Sequence, residues 1–141
     1  MKVEWLILGD YVELVGGKLY VMGGGWDVLT VNTAFPLTKQ CGVAASFRIP
    51  WDQTNQRHNV EVEILTEDGQ QFAKIGGQVE VGRPAGIAPG QDQRAQLAGN
   101  LMLTFQQAGR YTIVARVEGQ EQETISFGVV EGPLMRRAQA S

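Results

Sequence analysis

Side chains that could attack, titrate or ligate are few here: one histidine, His58, one cysteine, Cys41, and fifteen Asp and Glu. Hydrolysis of an ester or a sugar would use His58 oriented by Asp52. Ser46 or Cys41 would then attack, or a carboxylate such as Glu61 would share the pocket. Nothing in the spacing obliges these residues to meet. His58 has the parity of Val60, Val62 and Ile64, which sets it on the apolar face at a strand's mouth, where a hydrogen-bonded structural histidine is expected. Cys41, beside Gly42 at the start of a strand, reads as a small buried hydrophobe, since no helix terminus is at hand to lower its pKa. Glu61 and Glu63 lie about 6.6 Å apart on one strand face, within reach of a glycosidase pair. Acids alternating with valines, however, are the solvated side of a sheet.

Metal and cofactor chemistry has still less to work with. One histidine and one cysteine do not make a zinc set, and Glu67-Asp68-Gly69 is a hairpin turn rather than a calcium loop. Gly23-Gly24-Gly25 continues into strand, not into a helix whose N-terminal amides could hold phosphate, so it reads as a bend that lets the backbone pass a neighbour closely. No metal and no cofactor is expected.

Recognition by aromatic surfaces is the remaining chemistry. Of Trp5, Trp26 and Trp51, the first shares a strand with Val3 and Ile7 and is expected in the core. Trp26-Asp27 and Trp51-Asp52 each stand at a loop or strand end, where an indole either caps an open sandwich or offers a contact rim with one apolar and one polar partner. Trp26, Asp27, Trp51, Asp52 and His58 form the candidate binding set. The longest irregular stretch, 82–93, is expected to be mobile or functional.

These residues must be held by strands. Alternation is clean over 95–106, with Leu97, Leu101, Leu103 and Phe105 on one face, and resumes after Gln107-Ala108-Gly109 with Tyr111, Ile113, Ala115 and Val117. A further turn at Glu118-Gly119-Gln120 leads into 124–130, so the last third predicts a three-stranded meander. The middle predicts a strand over 43–49 closed by Pro50, a strand through Val60, Val62 and Ile64, and a hairpin at Glu67-Asp68-Gly69 into 70–81, with a bulge or bend at Gly76-Gly77. The first third predicts strands at 3–8, 11–15, 18–22 and 28–31, with a turn at Gly16-Gly17. No window of helical period competes. The expected fold class is all-β: a single-domain antiparallel β-sandwich, immunoglobulin-like or jelly-roll-like, of about seven to nine strands over 1–132, followed by a flexible tail at 133–141.

Composition bounds the partners. With 141 residues, 43% hydrophobic and 19% charged, one core is the prior and disorder is excluded. A net charge of -3 has the wrong sign for a backbone-neutralising nucleic-acid binder. No apolar run nears the roughly 20 residues that span a bilayer, so no membrane insertion is expected. Acids at Glu4 and Asp10 break the form of a secretory signal, and with Cys41 unpaired a cytoplasmic location is expected.

The order of segments resembles an uncharacterised family of small bacterial all-β proteins. The similar stretches are Gly9-Asp10-Tyr11-Val12, then Gly17-Lys18-Leu19-Tyr20-Val21-Met22-Gly23 and Trp26-Asp27. A second set is Ile49-Pro50-Trp51, Asn55, His58 and the Glu67-Asp68-Gly69 turn. The resemblance covers most of the chain and implies a single β domain; it carries no activity. The 105–113 segment is also similar to the penultimate-strand entry of immunoglobulin-like sandwiches, in which a tyrosine, here Tyr111, bonds back to the preceding connection. The Cys…Trp…Cys spacing of true immunoglobulin domains is absent.

The function these readings favour is a non-catalytic interaction or assembly module, with a protein partner or self-association through the 82–93 loop and the Trp26 and Trp51 rim. The alternative is a small hydrolase or a carbohydrate-binding module using the His58, Asp52 and Trp51 region.

Overall fold

Two-residue alternation punctuated by glycine and proline gives strands at nearly every expected place. The computed structural model describes residues 1–134 and contains ten strands; the expected tail lies outside the described residues from 135 onward. Strands β1 (Lys2–Gly9), β5 (Leu37–Ile49) and β8 (Gln93–Phe105) form one sheet in the order β1-β5-β8. A second sheet runs β4 (Val28–Val31), β10 (Gln120–Glu131), β9 (Gly109–Val117), β6 (His58–Leu65) and β7 (Gln71–Val79). Strands β2 (Tyr11–Val15) and β3 (Lys18–Met22) make a separate hairpin. Among the described residues no helix is long and apolar enough to cross a membrane.

The two larger sheets share one core. Leu6, Leu8, Val43, Phe47 and Phe105 from the first meet Val60, Val62, Ile64, Ile113 and Phe127 from the second, and all are buried. Removing each such side chain from water contributes roughly 1.5–3 kcal/mol. Phe105, Tyr111, Phe127 and the half-buried Phe72 form an aromatic knot between the sheets, with centroid separations from 4.8 Å for Phe72–Tyr111 to 6.2 Å for Phe105–Phe127.

The expected meander does not form. β8 pairs with β5 along their full lengths, from Leu37 opposite Phe105 to Ile49 opposite Gln93. β9 is paired on both sides already, by β6 and β10. The short 106–108 connection therefore crosses from one sheet to the other. Alternation assigns each side chain a face but says nothing about which strand lies alongside, and two strands of equal length leave the fewest orphan backbone groups when they pair.

Three local expectations are also corrected. Trp5 is half-buried on the outer face: the register shifts between Val3 and Trp5, and past this bulge Leu6 and Leu8 turn inward while Trp5 and Ile7 turn outward. Gly76 and Gly77 sit in unbroken register opposite Glu61 and Val60, and the irregularity of β7 falls at Phe72 instead. Tyr111 is in the aromatic knot, and its hydroxyl makes no bond back to the preceding connection among the described residues, so the immunoglobulin-type tyrosine bond is missing. One pair departs from the antiparallel scheme: β4 runs parallel to the C-terminal third of β10, because the chain arrives there from the edge of the other sheet.

The β2–β3 hairpin covers the outer face of the three-stranded sheet. The Asn100 side chain accepts the Val12 N–H at 2.9 Å and donates to the Val12 carbonyl at 2.8 Å, replacing a strand pair. Gly42 beneath it is required, because a Cβ there would stand 2.8 Å from the Val12 nitrogen.

Candidate functional site

The two Trp-Asp pairs occupy different corners. Trp51 follows β5, whose last residue is Ile49, whereas Trp26 stands beside Leu8, which pairs with Val43 six residues earlier on β5. Six residues of strand are about 20 Å. The five candidate residues therefore do not form one site.

At the Trp51 corner Pro50 ends β5 and a single 3-10 turn, Trp51–Gln53, redirects the chain towards β6. The long loop then folds back over it. The Arg83 guanidinium stacks on the Trp51 ring at 3.9 Å. Its Nε donates to Thr54 Oγ1 at 2.8 Å and its Nη2 to the Trp51 carbonyl at 2.9 Å. Thr54 Oγ1 in turn donates to that carbonyl at 2.8 Å, and the Asn55 N–H reaches Val81 O at 2.7 Å. One face of the indole is thus occupied by the protein's own cation, and the loop is pinned near its start.

His58 is buried at the same corner, and its Nε2 donates to the Gln53 carbonyl at 2.9 Å. A carbonyl only accepts, so Nε2 carries a proton, and Nδ1 faces Glu118 Oε1 at 3.6 Å. Asp52 is exposed, and its carboxylate makes no hydrogen bond to His58. Glu61 has the opposite parity, on the outer face of its sheet, with Lys74 Nζ at 3.5 Å and Arg116 at 3.6 Å. The imidazole and the two acids of a hydrolytic set therefore do not converge. The other nucleophiles are similarly engaged: Ser46 Oγ donates to Glu4 Oε2 at 3.1 Å, and burial pushes the Cys41 thiol up to about 11. Among the described residues no three His, Cys, Asp or Glu side chains gather as metal ligands.

Beyond this corner, on the outer face of the three-stranded sheet, Glu4 gathers two arginines. Arg94 holds it at 2.9 and 2.6 Å, and Arg48 stands 3.7 Å away. The Arg94 hydrogen bonds outweigh partial desolvation, and with Ser46 they hold the Glu4 carboxyl at about 2 instead of its ordinary 4.5.

Trp26 is positioned otherwise. Gly25, with φ of 84°, lets the chain turn off the β1 edge, where its N–H donates to Leu8 O at 2.9 Å. Asp27 O then accepts from the Gly128 N–H at 2.8 Å and starts the parallel pairing with β10. Trp26 lies across this transition, edge-on to Phe127 at 5.8 Å with Lys39 Nζ 5.9 Å from its ring. Its Nε1 is buried and has no acceptor among the described residues. Beside it a cavity of about 230 Å³ opens along the seam between β1 and β10, lined by Leu6, Ile7, Leu8, Gly25, Trp26, Asp27, Ile125 and Ser126. That is smaller than the roughly 300–1,000 Å³ of small-molecule pockets and suits one side chain.

Residues 4–130 match a family of unknown function, DUF6941. The chain belongs to DUF6941. No curated protein matches it. The DUF6941 match runs from β1 into the last strand, so both tryptophan corners, the seam and the Glu4 cluster all lie inside the family region.

The sequence marks both tryptophans and His58 as candidates but does not single out Arg83, which stacks on Trp51, or the Leu6, Leu8 and β10 edge beside Trp26. Arg83 carried no signal beyond its place in a long loop. The seam could not be read at all, since it exists only where the edges of two sheets come side by side.

Proposed function

We propose that this chain is a non-catalytic interaction module that binds a partner protein, acting in the cytoplasm. One observation supports the reading above others: at the Trp26 corner an apolar cavity of about 230 Å³, a buried indole N–H without an acceptor and a partly paired strand edge coincide. The groups a hydrolase would use are tied into the fold elsewhere. The cytoplasmic placement rests on the buried free thiol of Cys41.

A random peptide library panned against the immobilised full chain tests the reading. Micromolar ligands whose binding is unaffected by His58→Ala in folded protein are expected. Failure to enrich any ligand, or turnover of chromogenic esters or glycosides that His58→Ala abolishes, overturns it.

A further inference from the structure

We infer that the β1–β10 seam receives an extended peptide, added as a strand along the β10 edge, with apolar side chains at alternate positions and Lys or Arg flanking them. This rests on the interaction-module reading and names the partner's chemistry.

The backbone direction of β10 carries the first step. Gly128 donates its N–H to Asp27 O and Gly132 to Val31 O, so even-numbered residues of this strand turn their backbone groups away from β9 and towards β4. Register with β9 is continuous from Glu123 to Val129. Thr124 and Ser126 therefore turn the same way, but β4 pairs only with Gly128 to Glu131. The Thr124 N–H is met by its neighbour Glu123 Oε1 at 3.2 Å, and exposed Ser126 presents its N–H on the same side. Across the seam Leu8 O is taken by Gly25, and Gln122 Oε1 and Nε2 hold Val3 N and Met1 O at 2.7 and 3.3 Å. The open stretch is thus bounded at both ends. An incoming strand that continues the place of β4 pairs with Thr124 and Ser126.

Side-chain chemistry carries the second step. A strand in that place sets one side chain over the cavity between Leu6, Leu8, Trp26 and Ile125, where an apolar group fits. A carbonyl of the same strand is the acceptor that Trp26 Nε1 lacks. β10 itself carries Glu121, Glu123 and Glu131 with no Lys or Arg, and exposed Asp27 adjoins it. Arg116, opposite Glu121, is already held by Glu63 at 2.6 Å. The edge therefore favours a cationic partner over a second copy, whose own β10 edge carries the same acids.

The test uses the full chain and two synthetic peptides with the same alternating apolar centre, one flanked by lysines and one by glutamates. Fluorescence anisotropy is expected to show the lysine-flanked peptide binding about tenfold tighter at low salt, with the gap closing as salt is added. Amide exchange is expected to slow at Thr124 and Ser126. Ser126→Pro removes the outward N–H without touching the β9 ladder and is expected to weaken binding about tenfold. If that variant melts early, the exposed pair Glu121→Lys with Glu123→Lys decides instead, and it is expected to reverse the peptide preference.

Protection at another surface such as the β2–β3 hairpin, equal affinity for both peptides, or concentration-dependent dimers protected at β10 overturns this inference and leaves the interaction module standing. A peptide library that yields nothing removes both.

Discussion

Trp51 and Trp26 each stand beside an aspartate where one strand gives way to the next, and the fold treats them in opposite ways. Trp51 is enclosed by polar ties: a guanidinium on its face, a threonine and that same guanidinium on its carbonyl, and His58 bonded to the turn that follows. Trp26 is held by apolar packing on Phe127 and keeps an unanswered N–H beside a cavity. A corner whose polar groups are satisfied internally has little left for a partner, whereas one with a buried vacancy and a free strand edge has a reason to acquire one.

The contrast breaks most easily from beneath Trp26. Phe127→Ala deletes the ring under the indole from a fully buried site and is expected to lower stability by about 3–5 kcal/mol in urea denaturation, with the loss of Trp26 packing visible in fluorescence. A loss below about 1 kcal/mol would show that Trp26 is held by something other than the core.

His58→Ala comes next. It leaves the Gln53 carbonyl without its donor in a part-buried place and is expected to cost about 1–3 kcal/mol. An unchanged urea midpoint would mean that the Trp51 corner does not depend on its polar ties.

Arg83→Ala sharpens the comparison further. Stability should fall by about 1 kcal/mol, since the stacking and hydrogen bonds are partly exposed. Cleavage of the 82–93 loop by trypsin-like or broad proteases should nonetheless accelerate, and Trp51 should become quenchable by iodide. A loop as resistant as before would separate its order from this arginine.

The smallest effect is electrostatic. Glu4 has a folded-state pKa near 2 against an ordinary 4.5, so its contribution is fully present above about pH 4.5 and is lost as pH falls towards 2. Glu4→Gln should therefore lower the melting temperature slightly at pH 7, and the two proteins should converge as pH falls through that window. Parallel melting curves throughout would remove Glu4 from the stability of this face.

Much of the architecture was legible from local pattern. β2, β3 and β4 fall on their expected positions, the Glu67-Asp68-Gly69 turn joins β6 to β7, and the inward parity of His58 follows from its alternation with Val60 and Val62. Trp5 was misplaced because one extra residue at the β1 bulge inverts every later side chain, and nothing in Val3-Glu4-Trp5 announces it. Within the candidate set, the sequence marked where the indoles are but not what covers them. Arg83 lies 32 positions from Trp51, and Phe127 is further still from Trp26.

Period-two alternation is a property of neighbours along the chain, and it alone determined that this protein is built of strands with an apolar side and a polar side. Sheet membership is a property of neighbours across space. Only the tertiary structure decided that β8 lies against β5, that β4 reaches just the last third of β10, and that a gap remains between β10 and β1. The reason is that backbone hydrogen bonding is indifferent to side-chain identity, so the choice among partners falls to lengths, crossings and shared burial that no single segment contains.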